Sequence, residues 1–182
     1  MPSLFRPAAL LLRQYAGYHR DRRNITTHLV GVPMIVFGTG LLLARPVFGL
    51  GEVSLTPAWI LFALAALWYL TRGLFTLGLA TTLAVGSLVA LAQRVGESLS
   101  VAAWLGWGAG LFVAGWIVQL IGHYYEGRKP ALVDDLAGLL VGPMFVTLEL
   151  LASLGLCRRL VADIERHAGP TRLRDLAHPA TR

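Results

Sequence analysis

Long apolar stretches alternate with short polar segments along most of this chain, a pattern typical of membrane-spanning helices. Four stretches are predicted to be spans, and they run from about His28 to Ala44, Leu55 to Leu70, Leu74 to Ala92 and Val101 to Tyr125. The second is short for a hydrocarbon core of about 30 Å, so we expect it to lie partly at the interface or against its neighbours. Only Arg72 and Gly73 separate it from the third, which predicts a tight helical hairpin.

A fifth apolar stretch, from Ala137 to Leu156, contains Gly142-Pro143 and Glu149. The Gly-Pro break favours a re-entrant or interfacial segment over a continuous span. Four spans place the basic ends of the chain on one side, as the positive-inside rule prefers. A fifth span would place three arginines on the opposite side: Arg158, Arg159 and Arg166. The expected fold is therefore all-α, a polytopic membrane helical bundle with four spans plus a re-entrant or fifth C-terminal apolar segment.

The two ends of the chain are predicted to lie outside the spans. The spacing of Leu4, Leu11, Leu12 and Tyr15 suits a short amphipathic helix on the membrane surface. We expect residues 1–156 to form a membrane helical domain that includes this interfacial helix, and residues 157–182 to form a basic polar tail. Within the tail, residues 161–167 could form a short helix, and the glycine and prolines that follow favour disorder.

Composition supports the membrane class. The chain has 182 residues, of which 55% are hydrophobic and 14% charged, against about 25% charged residues in soluble domains. The net charge of +6 comes from basic clusters at residues 6–23 and 158–182. These clusters flank the spans, so they indicate topology and contact with anionic lipids rather than nucleic-acid binding. We expect an integral protein of the inner or plasma membrane with both termini on the cytoplasmic side.

Three histidines lie where apolar stretches meet polar segments: His19, His28 and His123. Ionisable groups at the edge of a span are costly and usually mark a site. His28 begins the first span and His123 ends the fourth, so four crossings return the chain to the same side. Residues about a hundred positions apart are therefore expected to meet at the cytoplasmic face.

The spacing of these residues restricts how they can meet. His19 and His28 are nine positions apart, which is about 180° on an ideal helix, so one helix cannot direct both at one ion. Asn24 is a good candidate for the N-cap of the first span, with His28 one turn inside it and His19 on a segment that folds back. His123 and Glu126 share one helical face, and Gly127 is placed to end their helix.

Two interpretations of this cluster remain open from spacing alone. In the first, His19, His28 and His123 hold one metal ion, with Glu126 as the fourth ligand or as a group that supports a ligand. Three nitrogens and a carboxylate suit iron(II), zinc or manganese. In the second, the histidines are interfacial anchors that bond to lipid headgroups or backbone.

Several charged residues also allow two interpretations. Five basic residues could bind a carboxylate or phosphate headgroup, or could serve positive-inside topology alone: Arg20, Arg22, Arg23, Arg128 and Lys129. Glu149 is either a site residue or a half-buried partner of Arg128 or Lys129. Gly106 and Gly110 form a small-xxx-small pattern, which lets helices approach closely. The protein could also form a homo-oligomer.

The two end motifs resemble a known family. The residues that carry the resemblance are Tyr18-His19-Arg20, Asn24, His28, Gly31, Pro33, Trp116, Gln119, Gly122-His123, Glu126-Gly127-Arg128, Pro130-Ala131-Leu132 and Gly142-Pro143-Met144-Phe145. This pattern is similar to the fungal phytosphingosine-to-odd-chain-fatty-acid dioxygenase family of small membrane proteins, and it covers about residues 15–149.

The resemblance implies an iron(II)-dependent dioxygenase. Such an enzyme shortens a 2-hydroxy fatty acid by one carbon with O2, releases the carboxyl carbon and needs no 2-oxoglutarate. The family's histidines correspond to His19, His28 and His123, and with Glu126 these form the expected catalytic and metal-binding set. The expected substrate-binding set lies at the cytoplasmic interface: Arg20, Asn24, Arg128 and Lys129. The competing hypotheses are a non-enzymatic membrane scaffold or lipid-binding protein and, less supported, a small transporter.

Overall fold

The computed structural model of the protein describes residues 5–50, 53–127 and 137–176. Within these ranges the chain forms seven helices and one two-stranded hairpin. In chain order the elements are α1 (Ala8–Ala16), α2 (Arg22–Leu42), β1 (Phe48–Leu50), β2 (Val53–Leu55), α3 (Pro57–Thr71), α4 (Phe75–Ser98), α5 (Val101–Glu126), α6 (Gly138–Ser153) and α7 (Arg158–Ala168).

The prediction of a helical fold is confirmed, and the strands are an addition to it. β1 and β2 pair antiparallel, with Phe48 opposite Leu55 and Leu50 opposite Val53. Both strands fall between the first two predicted spans, in a segment too short and too rich in glycine to show a helical period.

Three helices are long and apolar enough to cross a membrane, namely α2, α4 and α5. The predicted second span is α3, which has 15 residues and is shorter than a straight crossing requires. Helices α6 and α7 meet at an angle of 117° and would add a fourth crossing only if taken together. The structure thus supports a membrane protein with three or four such segments.

The predicted break at Gly142-Pro143 is wrong. Helix α6 continues through Pro143, and the chain turns later, at Gly155 (φ +78°) and Cys157 (φ +55°). Pro143 removes one backbone donor, but Val141, Met144 and Phe145 beside it are buried. Packing of these side chains outweighs the low helix propensity of one proline.

Helices α2 and α5 form the most extensive contact of the fold, and glycines bring their backbones together. A Cβ on Gly31 would lie 2.8 Å from the carbonyl oxygen of Gly115, and a Cβ on Gly115 would lie 2.8 Å from that of Gly31. In contrast, a Cβ on Gly106 or Gly110 would meet nothing within 4 Å. The predicted small-xxx-small pattern therefore does not mediate helix packing within the described ranges.

Helix α1 is present as predicted. Its apolar residues Leu11, Leu12 and Tyr15 are buried, because this face of the helix packs against α6 and α7. Arg13 Nη2 forms a 2.6 Å ion pair with Asp163 Oδ2 of α7. This polar link and the apolar contacts fix the position of the helix against α6 and α7.

The tail helix predicted at residues 161–167 is confirmed as part of α7. The segment that follows it, for which composition predicts disorder, instead lies against the start of α2. Asp21 and Arg172 form a parallel β-bridge there. Leu4 and residues 177–182 lie outside the described ranges.

Candidate metal centre

Three separate segments bring the three predicted histidines together. His19 lies in the turn between α1 and α2, His28 in the second turn of α2, and His123 in the last turn of α5. Gly127, with φ +68°, ends α5 directly after this turn, as the sequence predicts. All three side chains are buried, with exposed fractions of 0%, 1% and 6%.

The ring nitrogens of these histidines converge. One potential ligand atom from each residue lies within 4.8 Å of the other two. His19 Nε2 and His28 Nε2 are 3.1 Å apart, and the ring of His123 is 4.9 Å from the His19 ring and 5.1 Å from the His28 ring between centroids. A single ion can therefore contact all three side chains.

Hydrogen bonds at the far side of two rings determine where their protons lie. His19 Nδ1 donates to the Tyr15 carbonyl oxygen at 2.7 Å, and His28 Nδ1 donates to the Asn24 carbonyl oxygen at 2.9 Å. A carbonyl can only accept, so both Nδ1 atoms carry a proton. In the neutral rings the two Nε2 atoms then face each other with lone pairs.

A cation between the rings would satisfy this arrangement. Burial, and then the charge on His28, keep the pKa of His19 well below its ordinary value, so a shared proton is disfavoured near neutral pH. His123 Nδ1 is buried and has no hydrogen-bond partner among the described residues. Buried polar atoms are nearly always satisfied, and a metal ion would satisfy this group of nitrogens. The donor set therefore fits a metal site.

Glu126 lies beside the cluster, and its carboxylate contacts the loop that carries His19. Its Oε2 accepts hydrogen bonds from the amides of Arg20 at 2.9 Å and Asp21 at 2.7 Å, and from Asn24 Nδ2 at 3.1 Å. Among the described residues, the convergent ligand atoms belong to the histidines alone. These contacts favour the supporting role for Glu126 over the role of fourth ligand.

The predicted N-cap Asn24 is wrong, because the helix begins earlier. Asp21 is the N-cap of α2, and its side chain accepts from the Arg23 amide at 2.8 Å. Burial alone would raise the pKa of Asp21, but hydrogen bonds from Arg23 and Arg174 outweigh it and lower the pKa to about 2. The sequence did indicate Asp21 as a candidate start of α2, because aspartate is as good an N-cap as asparagine.

Asn24 instead lies in the first turn of α2 and joins the loop to α5. Its Nδ2 donates to the Tyr18 carbonyl at 3.0 Å as well as to Glu126. A Cβ on Gly122 would lie 2.5 Å from Asn24 Oδ1, so glycine is required where α5 passes this residue. Asn24 therefore positions the backbone that carries His28 and contacts the loop of His19.

Of the three basic residues predicted to bind substrate, the structure describes only Arg20. Arg20 is buried, and its Nε donates to the carbonyls of Ala16 and His19, each at 2.9 Å. Burial lowers the pKa of Arg20, and the nearby carboxylates, first among them Glu149, oppose that shift. These contacts favour a role in holding the loop. Arg128 and Lys129 lie outside the described residues.

A cavity beside the histidines was not predicted. It has a volume of about 60 Å³ and opens outward, and His123 forms part of its wall. Tyr15, which the sequence predicts on a membrane-facing surface, stacks on His19 with 4.1 Å between ring centroids and 9° between planes. The sequence contained a hint of this contact, because Tyr15 lies four residues before His19 and that spacing places both side chains on one face of a helical turn.

Comparison with known proteins identifies the family. Residues 5–154 match the family model described as 2-hydroxy-palmitic acid dioxygenase Mpo1-like. The chain is also 35% identical over 155 residues to the 2-hydroxy-palmitic acid dioxygenase MPO1 of Saccharomyces cerevisiae, covering 83% of each protein. No solved structure matches the chain. The family match includes all three histidines and Glu126, and the chain belongs to the Mpo1-like family of 2-hydroxy-palmitic acid dioxygenases.

Proposed function

We propose that this protein is an iron(II)-dependent dioxygenase that shortens 2-hydroxy fatty acids by one carbon. The observation that carries the proposal is the pair of facing Nε2 atoms of His19 and His28, 3.1 Å apart with both Nδ1 protons directed away. Membership of a dioxygenase family supports iron over a redox-inactive metal. The name of the yeast relative supports a 2-hydroxy fatty acid as the substrate class.

The chain's own residues would hold the ion through His19, His28 and His123. The carbonyls of Tyr15 and Asn24 fix the ring tautomers, so that each Nε2 presents a lone pair. Iron(II), when bound, would supply the redox chemistry that O2 requires. Three protein ligands leave coordination positions for a substrate, and a 2-hydroxy carboxylate offers two oxygen ligands.

The overall reaction balances without a further reductant. A 2-hydroxy acid and O2 give a fatty acid one carbon shorter, CO2 and water. The bond between the carboxyl carbon and the hydroxyl-bearing carbon breaks. The substrate loses four electrons, and both oxygen atoms of O2 are reduced by them. This stoichiometry explains how the reaction could proceed without 2-oxoglutarate.

The surroundings of the site suit an amphipathic substrate. The apolar helices would place the protein in a membrane, where fatty acids accumulate. In this proposal the site and both termini lie on the cytoplasmic side, and Arg128 and Lys129 supply positive charge for the carboxylate. The contacts of Arg20 and Asn24 support a role in shaping the site.

The proposal is tested with protein that carries no polyhistidine tag, loaded with iron(II) without oxygen. Addition of O2 and 2-hydroxypalmitate labelled with carbon-13 at the carboxyl should yield pentadecanoate and labelled CO2, with one O2 consumed per product. Palmitate should be left unchanged, and His123→Ala should abolish the reaction. Absence of product from iron-loaded protein would contradict the proposal and favour a scaffold or lipid-binding role.

A further inference from the structure

The cavity beside His123 contains two buried polar side chains that lack partners. Tyr15 is 8% exposed and Gln119 is 9% exposed, and both line the cavity. Among the described residues neither the Tyr15 hydroxyl nor the Gln119 amide has a hydrogen-bond partner. Most of the remaining wall is apolar and includes Val32, Ile35, Trp116 and Leu139. Neither group is among the fully enclosed side-chain atoms without a partner, so their polar atoms are open to the cavity, where a bound molecule can contact them.

Gln119 lies one helical turn before His123, on the same face of α5. Space for its side chain comes from α2, because a Cβ on Gly31 would lie 2.9 Å from Gln119 Cγ. The absence of a side chain at Gly31 therefore lets a long amide pass between the two helices. The amide faces the same cavity as the imidazole of His123.

The Tyr15 hydroxyl lies near Gly142 of α6. A Cβ on Gly142 would lie 3.2 Å from Tyr15 Oη, and Gly142 lines the cavity too. The Tyr15 ring is stacked on His19 and tilted against Phe145, 5.3 Å away between centroids. This packing holds the hydroxyl in place. The cavity is thus bordered by one candidate metal ligand, His123, and by two polar groups, Tyr15 and Gln119.

A ligand that satisfies this cavity has oxygen atoms at one end and an apolar chain at the other. We propose that Gln119 and Tyr15 bind the carboxylate and the 2-hydroxyl of the fatty acid here, with its first acyl carbons against Val32, Trp116 and Leu139. This assignment rests on the proposed function, because it names the part of the site that receives the substrate. The amide and the phenol can each donate to an oxygen, and the amide can also accept from a hydroxyl.

The assignment is tested by equilibrium binding of radiolabelled 2-hydroxypalmitate to zinc-loaded protein, in which no oxidation occurs. Gln119→Leu and Tyr15→Phe should keep metal content and Tm and should weaken binding about tenfold, in line with the loss of a hydrogen bond to a charged group. The preference for 2-hydroxypalmitate over palmitate should fall as well. Matched controls are Gln14→Leu and Tyr124→Phe, whose side chains are exposed and whose loss should leave binding unchanged.

Unchanged binding in both cavity variants, with metal retained, would overturn this assignment and leave the dioxygenase proposal intact. Wild-type protein that binds metal and yields no shortened product would instead overturn the dioxygenase proposal. If the variants fail to fold, a 2-hydroxy fatty acid with a diazirine on its acyl chain can be photo-crosslinked to the wild type. The assignment is supported if Val32, Trp116 or Leu139 is labelled and excess 2-hydroxypalmitate prevents this labelling. It is overturned if the label is confined to outward residues such as Leu120.

Discussion

Asp21 and Arg172 form a parallel β-bridge that ties the C-terminal segment to the start of α2. The amide of Arg172 donates to the Arg20 carbonyl, and its own carbonyl accepts from the Arg22 amide, each at 2.9 Å. The amide of Arg174 donates to Asp21 Oδ2 at 2.8 Å. These contacts hold the residues that directly follow His19, and they come from a segment beyond the family match at residues 5–154.

Truncation after Ala168 should therefore weaken both the fold and the metal site. Removal of these hydrogen bonds should destabilise the protein by about 1–3 kcal/mol and lower metal occupancy, because His19 loses its support. Thermal unfolding and metal analysis of the purified protein measure both effects. Truncation after Leu176, which removes only residues 177–182, is the control. Equal Tm and metal content in the two truncations would refute a role for the segment.

Glu126→Gln should reduce metal affinity without abolishing it. The carboxylate oxygen that accepts from Arg20, Asp21 and Asn24 becomes an amide, which weakens the support of the His19 loop. Loss of such a supporting group typically costs about 10–100-fold in metal affinity, and competition with a chelator can measure this change.

The matched control for that variant is Glu97→Gln. Glu97 accepts one hydrogen bond, from Gln93 Nε2 at 3.0 Å, on an exposed face of α4. The metal affinity of the Glu97→Gln protein should equal that of the wild type. Complete loss of metal from folded Glu126→Gln protein would identify the carboxylate as a direct ligand and overturn the supporting role.

Gly31→Ala should destabilise the contact between α2 and α5. The added methyl would lie 2.8 Å from the Gly115 carbonyl oxygen, and such overpacking costs about 1–3 kcal/mol. Gly110→Ala is the control, since a Cβ there meets nothing within 4 Å. A lower Tm for Gly31→Ala alone is expected. Equal Tm values would show that α2 and α5 accommodate the added methyl group without loss of stability.

The ion pair between Arg13 and Asp163 should stabilise the protein only above acidic pH. The Arg13 hydrogen bond holds the pKa of Asp163 below its ordinary value of about 3.9. A carboxyl with a lowered folded-state pKa contributes stability above its unfolded pKa and loses it as pH falls through the folded one. The difference in Tm between wild type and Asp163→Asn should therefore be present at pH 7, begin to fall near about pH 4 and disappear only below the lowered folded-state pKa.

Metal-free protein is suited to this comparison, because acid also protonates the histidines. Arg166→Met serves as the control, since Arg166 is 72% exposed where it meets Asp163 and an exposed pair contributes little. A pH-independent difference for Asp163→Asn would show that the link between α1 and α7 is not electrostatic.

The meeting of the histidines could be predicted from the sequence, whereas several local details could not. The prediction rested on four crossings between His28 and His123. The structure confirms that the two residues meet, although α3 is short for a crossing. The helix start at Asp21 was available from the local capping pattern, because aspartate is as good a cap as asparagine. The continuation of α6 through Pro143, in contrast, depended on tertiary packing that no local pattern reports. The place of Tyr15 depended on α1 packing against α6, because an amphipathic helix suits either a membrane surface or a protein interior.

The central claim is that His19, His28 and His123 together hold one metal ion. Elemental analysis of untagged protein, prepared with iron(II) and without oxygen, tests it most directly. A matched control is His167→Ala, which removes a half-exposed histidine of α7. We expect about one iron per chain in the wild type and the control, and none in folded His28→Ala or His123→Ala. Iron retained at full occupancy in either variant, or absent from the wild type, would contradict the account.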